Sequence, residues 1–353
     1  MRRQKQLTGI GLVAIAVILF FLPACSSDGS RGSAVGTLKQ EAADTAAKQE
    51  TTDTAVKQEG TDTAMQEAEP TSSPAASAST PVISKELFKY DSKPLNVQEL
   101  SVKETGTGVK IHEITYDAYD PSKNPEGKVS CYLLEPKGEG PFPAVLYLHW
   151  LGNINSNKDE FLDEATALAE KGIAGLLLDG VFPWKVIPSE LDKDKSMVVY
   201  QVIELQRALD YLTSLPNIDA KRLGYVGHDY GALHGAVLSG VDKRISNYVF
   251  VAGMGNFSDW FLGYWVFPDE EGRQKYRMEM KELDPINYIR NVAPAKAFFQ
   301  FANSDTFIPK KTADEFYEAA SQPKEVKFYD AGHRMEIDEV RLDRQKWLMD
   351  NLK

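Results

Sequence analysis

From about residue 108 onward, apolar positions fall into short runs separated by amphipathic stretches. "VKIHEITYDAY" (109–119) and "KVSCYLLEP" (128–136) alternate apolar with polar, the signature of half-buried antiparallel strands. "PAVLYLHW" (143–150) is an apolar run of buried-strand length, and "IAGLLLD" (173–179), "RLGYVGHD" (222–229), "ISNYVFVAG" (245–253), "AKAFFQFA" (295–302) and "EVKFYDAG" (325–332) read as further strands. Between them lie segments with helical spacing: 158–171, Ser196 to Leu215 ended by Pro216, Tyr230 to Ser239, Thr312 to Ala320 and Met335 to Leu352. Strand and helix in alternation predict an α/β fold, a mostly parallel sheet of about eight strands with helices on both faces. Function then belongs at the carboxyl ends of the strands.

The rhythm breaks twice at that end. Residues of about 254–283, including "NFSDWFLGYWVFPDEEGRQKYRMEM" (256–280), read as an aromatic-rich lid insertion. "DGVFPWKVIPSE" (179–190) reads as a second long loop. Trp260, Tyr264 and Trp265 from the first, Trp184 from the second and Trp150 at the end of its strand are candidate pocket residues; ordinary packing of an insertion is the alternative for the lid aromatics.

Upstream the pattern differs. Arg2, Arg3 and Lys5 precede an apolar run from Leu7 to Leu22, which reads as a secretory signal spanning residues 1–24. "LPAC" (22–25) resembles a bacterial lipobox, which implies cleavage before Cys25 and lipidation there, with the protein held on the outer side of a membrane. "KQEAADTAA", "KQETTDTAV" and "KQEGTDTAM" then repeat with a period of nine from Lys39 to Met65, followed by Pro-, Ser- and Ala-rich sequence. Residues 25–84 therefore read as a flexible spacer that buries no core, and 85–353 as the folded domain. The net charge of −11 argues against a nucleic-acid partner. Of two cysteines, Cys25 is assigned to lipid and Cys131 sits in a strand pattern, so the folded domain has no disulfide framework. The five histidines show no paired metal-ligand spacing, and no cofactor motif is present; the expected partner is a small-molecule substrate.

"VGHDYGALHG" (226–235) places Gly-x-x-x-Gly on a strand-to-helix junction with Asp229 in the middle. "NSDTFIP" (303–309) follows a later strand and "DAGHRM" (330–335) follows the last. Elbow, acid and histidine in that order resemble the α/β-hydrolase superfamily, in its dienelactone hydrolase and prolyl-oligopeptidase-like branch. "DPINYIRNVAPAK" (284–296) resembles the segment leading into the penultimate strand of those proteins. The resemblance implies Asp229 at the nucleophile position, Asp305 as orienting acid and His333 as base. Asp259 is a reserve acid; a helix N-cap is the other reading of Asp305, and a loop-capping role that of His333. "LHWLG" (148–152) stands where the family has His-Gly-x, which implies the amides of Leu151 and Tyr230 as an oxyanion hole, with Trp150 in place of the usual Gly.

The elbow of this superfamily usually carries Ser. A carboxylate is ionised without help and suits saturated carbon bearing a leaving group, as in an epoxide or alkyl halide; the resulting enzyme ester is then hydrolysed. "GHD" followed by an aromatic residue and Gly also resembles epoxide hydrolases and haloalkane dehalogenases, over about five residues. The expected function is a hydrolase of a small ester, lactone, epoxide or alkyl halide. The alternative is an inactive ligand- or partner-binding lipoprotein that kept the fold.

Overall fold

The computed structural model describes residues 83–353 apart from 125, 154, 183–190 and 265–268, and apart from the side chains of 263 and 264. The signal, lipobox and repeat segment, together with Trp184 and Trp265, lie outside the described residues, as does the side chain of Tyr264.

Nine strands form one sheet among the described residues. In chain order the elements are β1 (Gln98–Glu104), β2 (Lys110–Asp117), β3 (Lys128–Glu135), β4 (Phe142–Leu148), a 3-10 turn (Lys158–Phe161), α1 (Leu162–Ala169), β5 (Ala174–Leu178), α2 (Leu191–Ser214), β6 (Ile218–His228) and α3 (Tyr230–Val241). Then come β7 (Asn247–Val251), α4 (Ser258–Tyr264), α5 (Glu270–Met280), α6 (Pro285–Ile289), β8 (Lys296–Ala302), α7 (Lys310–Ala319), β9 (Lys324–Tyr329) and α8 (Asp338–Leu352). The sheet order is β1-β2-β3-β5-β4-β6-β7-β8-β9. Pairings from β1 to β5 through β2 and β3 are antiparallel, and those from β5 across to β9 are parallel.

The sheet exceeds expectation by one strand. β1, "QELSVKE", is exposed at every position, so it carries no apolar run for a sequence reading to find. It pairs with β2 at the sheet edge, and its charged side chains suit an edge that must not recruit another strand. β5 and β7 are buried at every residue, and β4 and β8 at all but the first, consistent with sequence apolar on both faces. Cys131 lies in β3, fully buried among the core side chains.

β4 lies between β5 and β6, so the chain leaves it first to one side and later to the other. Such a switch point opens a crevice outside the carboxyl ends of the two central strands. Those ends are Leu148 and His228, and the segments that follow them carry Leu151 and Asp229.

Candidate active site

The junction of β6 and α3 forces an unusual backbone. Asp229 has φ 53° and ψ −114°, a strained conformation for a residue with a side chain. The flanking glycines make it possible. A Cβ on Gly227 would lie 2.3 Å from the carbonyl oxygen of Gly231, and one on Gly231 would lie 2.1 Å from that of Leu148. Any larger residue would push α3 away from β4 and β6. The tight turn presents the Asp229 side chain at the crevice, 2% exposed.

Two peptide planes of the loop after β4 are pinned. The Trp150 N–H donates to Glu160 Oε2 at 2.6 Å. The Trp150 carbonyl lies 2.6 Å from His149 Nδ1, while His149 Nε2 accepts the Gly180 N–H at 2.9 Å, so Nδ1 carries the hydrogen. In a trans peptide the N–H opposes the C=O. With the Trp150 carbonyl held by His149, the Leu151 N–H is turned the other way, and it donates to Asp229 Oδ2 at 3.2 Å. Trp150 in place of the usual Gly therefore leaves Leu151 N–H aimed into the site. Tyr230, the other expected donor, is the first residue of α3 and is buried. Asp229 Oδ1 is also buried and takes no hydrogen bond.

Burial pushes the Asp229 carboxyl up to about 7. The His333 charge and the Leu151 amide oppose the rise, while Glu160 and Asp305 add to it. A buried carboxylate given one amide donor has lost water without full replacement.

His333 follows β9 and is 8% exposed. Its Nδ1 donates to Asp305 Oδ2 at 2.8 Å, which leaves Nε2 as the basic nitrogen. Asp305 Oδ1 accepts the N–H groups of Phe307 and Ile308, each at 2.9 Å. Asp305 thus both orders its own turn and holds His333; the N-cap position of α7 falls to Pro309. Burial raises the Asp305 carboxyl, but the His333 bond and charge and the two amides outweigh it and hold it below the usual carboxylate range. Asp259, the reserve acid, is half exposed and bonded to Asn256 and Arg277, away from His333.

Aromatic rings pack around His333. Trp260 lies 5.4 Å from the His333 ring, 5.8 Å from Tyr230 and 5.8 Å from Phe307. Phe307 lies 5.0 Å from His333. Trp150 stacks on His228 at 5.3 Å and 7° and lies 6.3 Å from His333. Of the five candidate pocket residues the structure brings Trp150 and Trp260 to the site. It adds two that sequence reasoning missed. Phe307 stands inside the acid motif and its proximity to Asp305 was the available signal; Glu160 reads in sequence as an ordinary acidic residue opening a helix.

Comparison with known proteins bears on this geometry. No family model matches the chain. Acetyl esterase Axe7A of Xylanibacter ruminicola is 22% identical over 281 residues, 69% of this chain and 62% of that protein. Putative hydrolase YtaP of Bacillus subtilis is 27% identical over 188 residues, 46% of this chain and 60% of that protein. The chain thus spans about three-fifths of the length of these curated relatives. An acetyl xylan esterase from Paenibacillus sp. R4 aligns in structure with a TM-score of 0.60 at 20% identity, over 76% of this chain and 92% of that one. Acetyl xylan esterase 1 from Thermoanaerobacterium sp. JW/SL YS485 aligns with a TM-score of 0.59 at 14% identity, over 75% and 91%. The chain has the α/β-hydrolase fold.

Proposed function

We propose that the protein is a hydrolase of small organic esters and related electrophiles, in the dienelactone hydrolase and prolyl-oligopeptidase-like branch of its fold, with Asp229 as nucleophile. Likeness to acetyl esterases supports ester substrates. The observation that carries the nucleophile is the unequal state of the two Asp229 oxygens: Oδ2 faces the Leu151 amide and Oδ1 is buried without a partner. In the first step Oδ1 attacks a saturated carbon. The bond from that carbon to its leaving group breaks, and the electron pair departs with a carboxylate, a halide or an opening epoxide oxygen. In the second step His333 Nε2 takes a proton from water, and the hydroxide adds to the Asp229 carboxyl carbon. Negative charge then gathers on Oδ2, where the Leu151 N–H already points and the Tyr230 amide is the second donor. Collapse expels the alkoxide, which takes the proton back from His333, and Asp229 is regenerated. Asp305 holds the imidazole throughout.

The test separates the steps. In His333→Gln the ester of Asp229 should form and persist, so a panel of epoxides and alkyl halides should add one substrate-derived mass to the peptide carrying Asp229. Asp229→Asn should abolish the adduct, because a neutral amide does not attack. A second reading, a binding protein with no turnover, is favoured by the burial of Asp229 and His333 beneath Trp260 and Phe307. Absence of label in His333→Gln together with no turnover by the unaltered chain supports that reading; a labelled Asp229 eliminates it.

We further propose that the chain is anchored through lipid on Cys25. Cys25→Ser should move the protein from the membrane fraction to the soluble fraction, with its melting temperature unchanged. Retention in the membrane fraction refutes the anchor.

A further inference from the structure

Glu160 and His228 stand outside the steps above, yet they touch every moving part of them. His228 closes β6, immediately before Asp229. Its Nδ1 lies 2.6 Å from Glu160 Oε1 and its Nε2 lies 3.1 Å from the His333 carbonyl oxygen. A carboxylate and a carbonyl both accept, so the two contacts fit a ring with hydrogen on both nitrogens. The other Glu160 oxygen takes the Trp150 N–H at 2.6 Å, and the Trp150 indole covers the face of His228. Three stretches far apart in sequence, 150–160, 228 and 333, are thereby closed into one cluster.

We propose that Glu160 and His228 form an ion pair that positions the reaction centre, holding the Leu151 loop and the His333 loop in register at the end of β6. The inference rests on the catalytic reading of Asp229 and His333. Glu160 grips the loop that aims the Leu151 N–H, and His228 grips the backbone of the general base. Neither residue touches substrate in this scheme; both act through Leu151 and His333. The charged and titratable groups around the pair are Asp229, His149, His333 and Arg344, with Arg334 beyond the Trp150 ring. Burial raises the Glu160 carboxyl, but the charge and bond of His228 and the Trp150 amide reverse this and hold it below its ordinary range, as a cationic partner demands. Misplacing a catalytic group by about 1 Å costs on the order of a hundredfold in rate.

Two substitutions separate charge from geometry. In Glu160→Gln the amide oxygen still accepts from Trp150 and the amide N–H donates to His228 Nδ1. His228 then becomes neutral with hydrogen on Nε2, and the bridge survives uncharged. Glu160→Ala cuts it. Nitrogen-15 spectra of the imidazole rings at pH 7 should show both His228 nitrogens protonated in the unaltered chain and one in Glu160→Gln. The low-field proton on His333 Nδ1 should persist in Glu160→Gln and broaden away in Glu160→Ala. Hydrolysis of the Asp229 ester should slow about a hundredfold in Glu160→Ala and less than about tenfold in Glu160→Gln, with the rate of ester formation within a few-fold in both. A neutral His228 in the unaltered chain overturns the proposal, and so does an unchanged His333 proton in Glu160→Ala. Should Glu160→Ala not fold, the His228 ring in Glu160→Gln still decides. The spectra need no substrate, so a failure of Asp229 to label sinks its role as nucleophile without deciding the ion pair.

Discussion

Two carboxylates sit within one site, Asp229 buried and Asp305 partly buried, and they are opposite in character. The Asp229 residue is 2% exposed and the Asp305 side chain 3%. Burial alone would raise both. Asp305 receives three donors, from Phe307, Ile308 and His333, and is held below the usual range. Asp229 receives one, from Leu151, and is pushed up to about 7. The difference teaches that the count of donors, together with depth, decides whether an acid in such a site stays an anion. One is built to remain charged and orient a base. The other keeps an oxygen uncommitted, and an uncommitted oxygen is the one able to make a new bond.

The strongest way to break this contrast is Asp305→Asn. The amide cannot match the carboxylate as acceptor for His333 Nδ1, and the basic nitrogen is misassigned. Hydrolysis of the Asp229 ester, followed in single turnover, should fall about a thousandfold; a loss under tenfold would remove Asp305 from the orienting role. The next test is the pH dependence of ester formation. On the proposed reading the attacking species is ionised Asp229, so labelling should rise about tenfold per pH unit below about pH 7 and level off above it. A rate already flat from pH 5 would mean that Asp229 behaves as an ordinary carboxylate. The smallest effect is on stability, and its sign separates the pair. Because the folded state holds the Asp229 carboxyl up near 7, that group favours folding below about pH 4 and loses the advantage as pH rises through about 7. Asp229→Asn should therefore stabilise the fold by up to roughly 4 kcal/mol at pH 8 and by little at pH 4. Asp305→Asn should destabilise at pH 8, because a lowered carboxyl contributes its stability above the ordinary carboxylate range and loses it in acid. Urea melts at the two pH values read both signs.

Much of this architecture was legible because its physics is local. β4, β5, β7 and β8 announce themselves as apolar runs, since a strand covered on both faces has no polar side to display. Gly227, Asp229 and Gly231 announce a turn through spacing alone, since close approach tolerates only glycine. β1 stayed hidden because an exposed edge strand is held by backbone bonds that leave no mark on side-chain pattern. Glu160 stayed hidden for a different reason. Its partners Trp150 and His228 come from two other strand ends, and only the switch point at β4 brings them together.

The carboxylate at position 229 also decides how the protein would fare in a chemical census. Fluorophosphonate reagents inventory hydrolases by leaving a durable phosphonate on serine. On Asp229 the same reagent would form a mixed carboxylic–phosphonic anhydride, which water cleaves, so the tag would wash off. A survey of serine-type activity would pass over this chain while capturing any cousin with a hydroxyl at the same turn. An alkylating warhead would reverse the result in the His333→Gln chain, where the aspartate ester persists, and would leave the serine cousins blank.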